Sequence, residues 1–124
     1  MSGLTQALLA KEGKITEQMK RVAVKEGRSE EFIRERVADG RIVIPANINH
    51  KNLEPVGIGR ELLTKINANI GNSSLSSCPK EEQTKLQTAL KYGADTVMDL
   101  STGGNITKIR ADLLAKCHAP VGTV

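Results

Sequence analysis

The stretch that decides the fold is Ala94-Asp95-Thr96-Val97-Met98-Asp99-Leu100-Ser101-Thr102-Gly103-Gly104. Thr96 to Leu100 reads as a mainly apolar strand, and hydroxyl and glycine residues end it. A barrel strand that finishes this way delivers side chains to a ligand at its C-terminal end. A second strand of this kind lies upstream, where Ile66-Asn67-Ala68-Asn69-Ile70 is closed by Gly71-Asn72-Ser73-Ser74. Between the two, Pro79 opens a helix with Glu81 and Glu82 in its first turn and Gly93 after its last. Leu86, Ala89 and Leu90 form the inner stripe of that helix. Ile106 to Cys117 is a second helix, with Ile109, Leu113 and Leu114 at helical spacing, and Pro120 to Val124 begins a third strand. Strand, helix, strand, helix, strand predicts parallel β/α units over residues 61–124.

Residues 1–60 read differently, as a mainly helical region with an extended arm. Thr16 caps a helix running from Glu17 towards Glu26, which Gly27 stops. Ser29 caps the next, Glu30 and Glu31 suit its first turn, and Phe32, Ile33, Arg36 and Val37 line one face before Gly40 ends it. Arg41 to Ile44 is a short β-branched run closed by Pro45, which suits an edge strand or arm. Asn47 to Gly59 reads as loop. A three-stranded parallel sheet alone leaves its edges unpaired, and the chain stops inside an apolar strand. Both features predict an α/β fold that is the start of a barrel rather than a complete one.

Composition narrows the function. The 124 residues hold one Phe, one Tyr and no Trp, so the core is aliphatic and aromatic base-stacking surfaces are lacking. The net charge is +4, yet basic and acidic residues alternate, as in Lys25-Glu26 and Arg34-Glu35-Arg36. Such mixed charge is a solvated helical face, so no nucleic-acid partner is expected, while a small anionic substrate fits the mild basicity. Cys78 and Cys117 have neither CxxC spacing nor a nearby His pair and read as two reduced thiols. Met1 to Ala10 lacks the basic start and long apolar run of a leader, and no stretch approaches the ~20 apolar residues of a membrane span. The expected location is the cytoplasm.

Several residues carry chemistry that the pattern alone leaves open. Asn67 and Asn69 share one face of their strand, where amides need partners. A substrate is one partner, and turn hydrogen bonds near the strand end are the other. Met98 is either core filling or a ligand contact. Asp99 is either a functional carboxylate or the cap of the following turn. Ser101-Thr102-Gly103-Gly104 offers N–H groups before a helix, as a phosphate site requires, but has no P-loop lysine and reads more simply as a turn. Gly57-Ile58-Gly59 is weaker still, without a preceding strand of nucleotide-binding type. His50 has no second metal ligand at the right spacing, and His118 suits a helix end, so both read as structural. Neither a nucleophile–base pair nor paired carboxylates emerge.

Longer matches go further. Gly13 to Lys20, Phe32 to Asn47 with its Ile-Pro-Ala-Asn end, Pro55 to Gly59, Lys65 to Gly71 and Tyr92 to Gly104 closely resemble the N-terminal part of the phosphomethylpyrimidine synthase family. That resemblance implies a (β/α)8 barrel behind a small helical region. It implies conversion of aminoimidazole ribotide to hydroxymethylpyrimidine phosphate in thiamine biosynthesis, with S-adenosylmethionine, a [4Fe-4S] cluster and zinc, in a homodimer. By the same resemblance Asn69 and Met98 match substrate-contacting positions. The family's cluster is held by a CxxCxxxxC pattern near its C-terminus, which neither Cys78 nor Cys117 matches, and its metal-binding histidines belong to later strands. The expectation is therefore a fragment, inactive alone, that carries the first part of a substrate site. Two alternatives stay open: a hydroxybenzimidazole synthase acting on the same ribotide, and a free-standing small binding module.

Overall fold

In a computed structural model the described residues are 4–73 and 78–124. Ser74 of the expected turn and the first residues of the leader reading lie outside them. The chain forms two compact units: Met1–Ala46 with Pro55–Thr64, and Asn47–Glu54 with Lys65–Val124.

The first unit is built from capped helices. They are α1 (Gln6–Lys11), α2 (Glu17–Glu26) and α3 (Glu30–Ala38). Thr5, Thr16 and Ser29 sit at their N-caps, and each hydroxyl accepts the backbone N–H of the third helical residue. Gly27 ends α2 at φ 62°, a left-handed conformation that glycine adopts without a Cβ penalty. The helices bury Ala10, Met19, Val22, Ala23, Ile33 and Val37 in one aliphatic core, to which Ile42 and Ile44 add. Phe32 lies partly buried at its margin, with the Arg28 and Arg36 guanidinium groups 5.2 and 4.9 Å from its ring centroid.

The region expected as loop holds a short strand. β1 (Ile42–Val43) pairs antiparallel with β2 (Ile58–Gly59). Only glycine fits at position 59 of β2, because a Cβ there would lie 2.2 Å from the Arg41 carbonyl oxygen. Two-residue strands carry no readable periodicity, and the Gly57-Ile58-Gly59 run signals close backbone approach rather than a nucleotide loop.

The second unit follows the alternation read from the sequence: β3 (Asn67–Ile70), α4 (Pro79–Lys91), β4 (Thr96–Asp99), α5 (Ile106–Lys116) and β5 (Val121–Thr123). The sheet is parallel, in the order β3-β4-β5. Its register places Asn67 beside Thr96, Asn69 beside Met98, and Met98 beside Gly122. Ile70 and Val97 join Leu86 of α4 and Ile109 and Leu113 of α5 in a single core, so both helices cover the same face. The fold class is thus α/β.

Residues 47–54 belong to this unit and are fixed to the end of α5. His50 is buried, and its Nε2 lies 2.5 Å from the Cys117 carbonyl oxygen, while the Glu54 N–H donates to the His118 carbonyl at 2.7 Å. Both links tie backbone carbonyls at the end of α5, which would otherwise lack donors, to the segment. His50 thus ties residues 47–54 to the end of α5.

Candidate functional site

The sheet of the second unit has two unlike faces, and the difference comes from period-two alternation along β3 and β4. Ile70, Val97 and Asp99 point to the helices and are buried. Asn67, Asn69, Thr96 and Met98 occupy the opposite face, where Asn67 and Asn69 are exposed and Thr96 and Met98 half-buried. The two residues expected to contact substrate, Asn69 and Met98, are direct partners on neighbouring strands of this face. Beyond Met98 the face continues to Gly122, where an added Cβ would meet the Met98 methyl carbon at 3.5 Å.

The amides do not close a turn. Thr96 Oγ1 donates to Asn67 Oδ1 at 2.9 Å, and Asn67 Nδ2 donates to Asn69 Oδ1 at 2.8 Å. A polar row thus runs along the face opposite α4 and α5. At its C-terminal end lies a cavity of about 340 Å³ lined by Asn69, Ile70, Gly71, Asn72, Lys85 and Leu100.

Behind that edge sits a buried polar network that the sequence marked only in pieces. Asp99 is fully buried. Its Oδ1 accepts from the Ser101 N–H at 3.1 Å and the Ser101 hydroxyl at 2.5 Å, and its Oδ2 accepts from Arg110 Nε at 3.0 Å. Ser101 Oγ in turn accepts the Asn72 N–H at 3.1 Å, and the Asn72 carbonyl accepts the Thr102 N–H at 2.7 Å. Asp99 therefore serves as turn cap and ion-pair partner together, and it joins the loops after β3 and β4. The sequence does not single out Arg110, because one Arg on a helix of mixed charge has no distinguishing spacing. The signal that could have found it is its place on α5, one turn beyond Ile106 and opposite the strand end.

The Ser101–Gly104 loop precedes α5, but its helix start is largely occupied. Asn105 Oδ1 accepts the Lys108 N–H at 3.0 Å and the Gly104 carbonyl accepts the Ile106 N–H at 3.1 Å. The plain turn describes it better than a phosphate cradle. His118 is exposed beside Cys117 at the end of α5.

A model of the Radical SAM ThiC family matches residues 5–124. The chain belongs to that family. Among curated relatives, a phosphomethylpyrimidine synthase of Natronomonas pharaonis is 56% identical over 120 residues, which is 97% of this chain and 25% of the relative. The corresponding protein of Haloarcula marismortui is 54% identical over 121 residues, 98% of this chain and 25% of its own length. That of Desulforamulus reducens is 56% identical over 121 residues and is covered to 28%. The chain thus spans about a quarter of the length of the relatives it matches, and the resemblance read from its sequence is shown.

The family description implies S-adenosylmethionine and an iron–sulfur cluster, and the cysteines present do not fit a cluster. Both are free. Cys78 caps α4. Cys117 is buried, its thiol donates to the Ala119 carbonyl at 3.3 Å, and burial pushes its pKa above the ordinary thiol value. Among the described residues no three His, Cys, Asp or Glu side chains are grouped to hold a metal. No described helix is long and apolar enough to cross a membrane.

Proposed function

We propose that this chain is the opening segment of a phosphomethylpyrimidine synthase that converts aminoimidazole ribotide to hydroxymethylpyrimidine phosphate for thiamine biosynthesis. The single observation that carries the reading is the pairing of Asn69 with Met98 on the sheet face opposite α4 and α5. A small helical region leads into a (β/α)8 barrel, and that face is the inside of the barrel. Sequential parallel strand order with both helices on one face supports this, as consecutive β/α units of such a barrel are arranged that way. Active sites of such barrels lie at the C-terminal ends of the strands, where Asn69 and Met98 stand.

In this reading Asn69 orients the ribotide by hydrogen bonding, since its amide offers donors and an acceptor. Met98 supplies soft packing against the imidazole ring. The S-adenosylmethionine, the [4Fe-4S] cluster and the zinc belong to parts of the enzyme outside this chain and supply its radical chemistry. The enzyme works as a homodimer in the cytoplasm.

In a full-length synthase carrying this segment in place of its own, Asn69→Ala is expected to weaken ribotide binding by about 1–3 kcal/mol. Met98→Ala acts through lost packing, and iron and sulfide content stay unchanged in both. Calorimetric titration with the ribotide checks this, and unchanged affinity in both variants removes the pair from the site.

A further inference from the structure

From the polar row on the face opposite α4 and α5 we infer that Asn67 and Thr96 are positioning residues that fix the direction of the Asn69 amide, so that Asn69 meets its ligand as a hydrogen-bond donor. This deepens the proposed function and rests on Asn69 contacting the ribotide.

An asparagine amide has two unlike ends, a carbonyl that accepts and an NH2 group that donates twice. Which end faces a ligand is set by what holds the other. Here the Asn69 carbonyl is taken by Asn67 Nδ2 at 2.8 Å. Asn67 is itself held, because Thr96 Oγ1 donates to its carbonyl at 2.9 Å. The register explains why the three side chains meet: Asn67 and Asn69 are two apart on β3, and Thr96 is the cross-strand partner of Asn67. The row is therefore polarised from hydroxyl to amide to amide, and it ends on the Asn69 NH2. Among the described residues no hydrogen bond holds that group. Asn69 itself is the strand partner of Met98. The ligand atom it meets must be an acceptor, such as an unprotonated ring nitrogen, a ribose oxygen or a phosphate oxygen.

The reverse polarity would turn the Asn69 carbonyl outward and select a donor instead. Asn67→Asp enforces that reversal, because a carboxylate accepts from Asn69 and Thr96 and has no N–H to give. Thr96→Val removes the hydroxyl that anchors the row at nearly constant shape, and Thr96→Ser keeps it. Neither position is in the aliphatic core, so the three variants are expected to fold.

The test is calorimetric titration of a full-length synthase carrying this segment, with aminoimidazole ribotide and with its dephosphorylated riboside as probes. Asn67→Asp should raise Kd on the order of tenfold or more for both probes. Thr96→Val should raise it severalfold, with Thr96→Ser close to the parent. In turnover the change should fall on KM with kcat little altered, as for binding shared by ground and transition states. A role confined to folding would lower the number of binding sites and leave Kd alone. A loss in Asn67→Asp seen with the ribotide but not the riboside would mean repulsion of the phosphate and overturn the donor polarity. Unchanged Kd in Asn67→Asp and Thr96→Val, with Asn69→Ala weakened, would overturn the relay and leave Asn69 a ligand contact. Unchanged Kd in Asn69→Ala would overturn the proposed site and the relay with it.

Discussion

The helical unit and the parallel unit handle polar groups in opposite ways. In the helical unit polar side chains close helix ends and form surface pairs, such as Thr16 and Ser29 at N-caps and Arg36 with Glu61 at 2.9 Å. Its interior is aliphatic. In the parallel unit the polar groups are inside or on a sheet face: Asp99 is fully buried, and Asn67 and Asn69 line the face opposite α4 and α5. Placing polar groups there costs free energy unless something pairs with them. That contrast makes the parallel unit the place where the proposed site is to be tested.

The largest effect that sharpens the comparison is expected from Arg110→Met. Asp99 would keep the Ser101 donors and lose its cation while remaining buried. Removing one partner of a buried pair costs about 3–5 kcal/mol, and the partial exposure of Arg110 puts this one at the lower end. Urea unfolding midpoints measure it. A loss below about 1 kcal/mol would mean that the network is held by its neutral hydrogen bonds alone.

In the helical unit the comparable test is steric. Gly59→Ala drives a Cβ to 2.2 Å from the Arg41 carbonyl oxygen and 3.0 Å from Ile42 Cα, so β1 and β2 must separate. The expected cost is about 1–3 kcal/mol, with loss of hydrogen-exchange protection confined to that pairing. An unchanged exchange pattern would show that the two strands are not closely held.

How legible these features were in the sequence depends on their length. Helices α2 and α3 announced themselves through Thr16, Ser29 and Gly27, whose chemistry acts within one turn. The β/α alternation from residue 66 onward was readable because each element is long enough to show a period. Strand β2 was not, since two residues carry no pattern. Within the site, period two placed Asn67 with Asn69, and only the strand register could set Thr96 and Met98 beside them. The Asp99–Arg110 pair joins residues from different elements, and sequence spacing does not report which helical turn faces a strand end. The tie of His50 to Cys117 spans still more chain.

A smaller effect separates the units by pH. The hydrogen bond from Arg36 holds the Glu61 carboxyl below its ordinary value of 4.5, and Arg34 does the same for Glu31. A carboxyl depressed in the folded state contributes stability that is present above its unfolded pKa and lost as pH falls through the folded one. The helical unit should therefore lose a small increment of stability below about pH 4.5. Both carboxylates are exposed, so added salt should shrink it. Denaturation at neutral and acidic pH, with Glu61→Gln as comparison, tests the sign. If the variant keeps the full acid dependence, the pair is not its source.

The smallest expected effect on stability is at Asn69, and it separates a binding face from a structural one. Asn69→Ala removes a 2.8 Å hydrogen bond on an exposed face, where water replaces the lost partner. Its cost in unfolding free energy should stay within about 0.5 kcal/mol. The same change is expected to cost about 1–3 kcal/mol in ribotide binding, where the lost partner is a ligand atom removed from water. Folding and binding thus respond in opposite proportion at Asn69 and at Arg110: one is nearly silent in unfolding, the other dominates it. Paired unfolding and titration curves on Asn69→Ala measure that proportion directly. A large unfolding penalty at Asn69 would make the amide row a brace between β3 and β4. A small one with weakened ribotide binding assigns the face opposite α4 and α5 to the ligand.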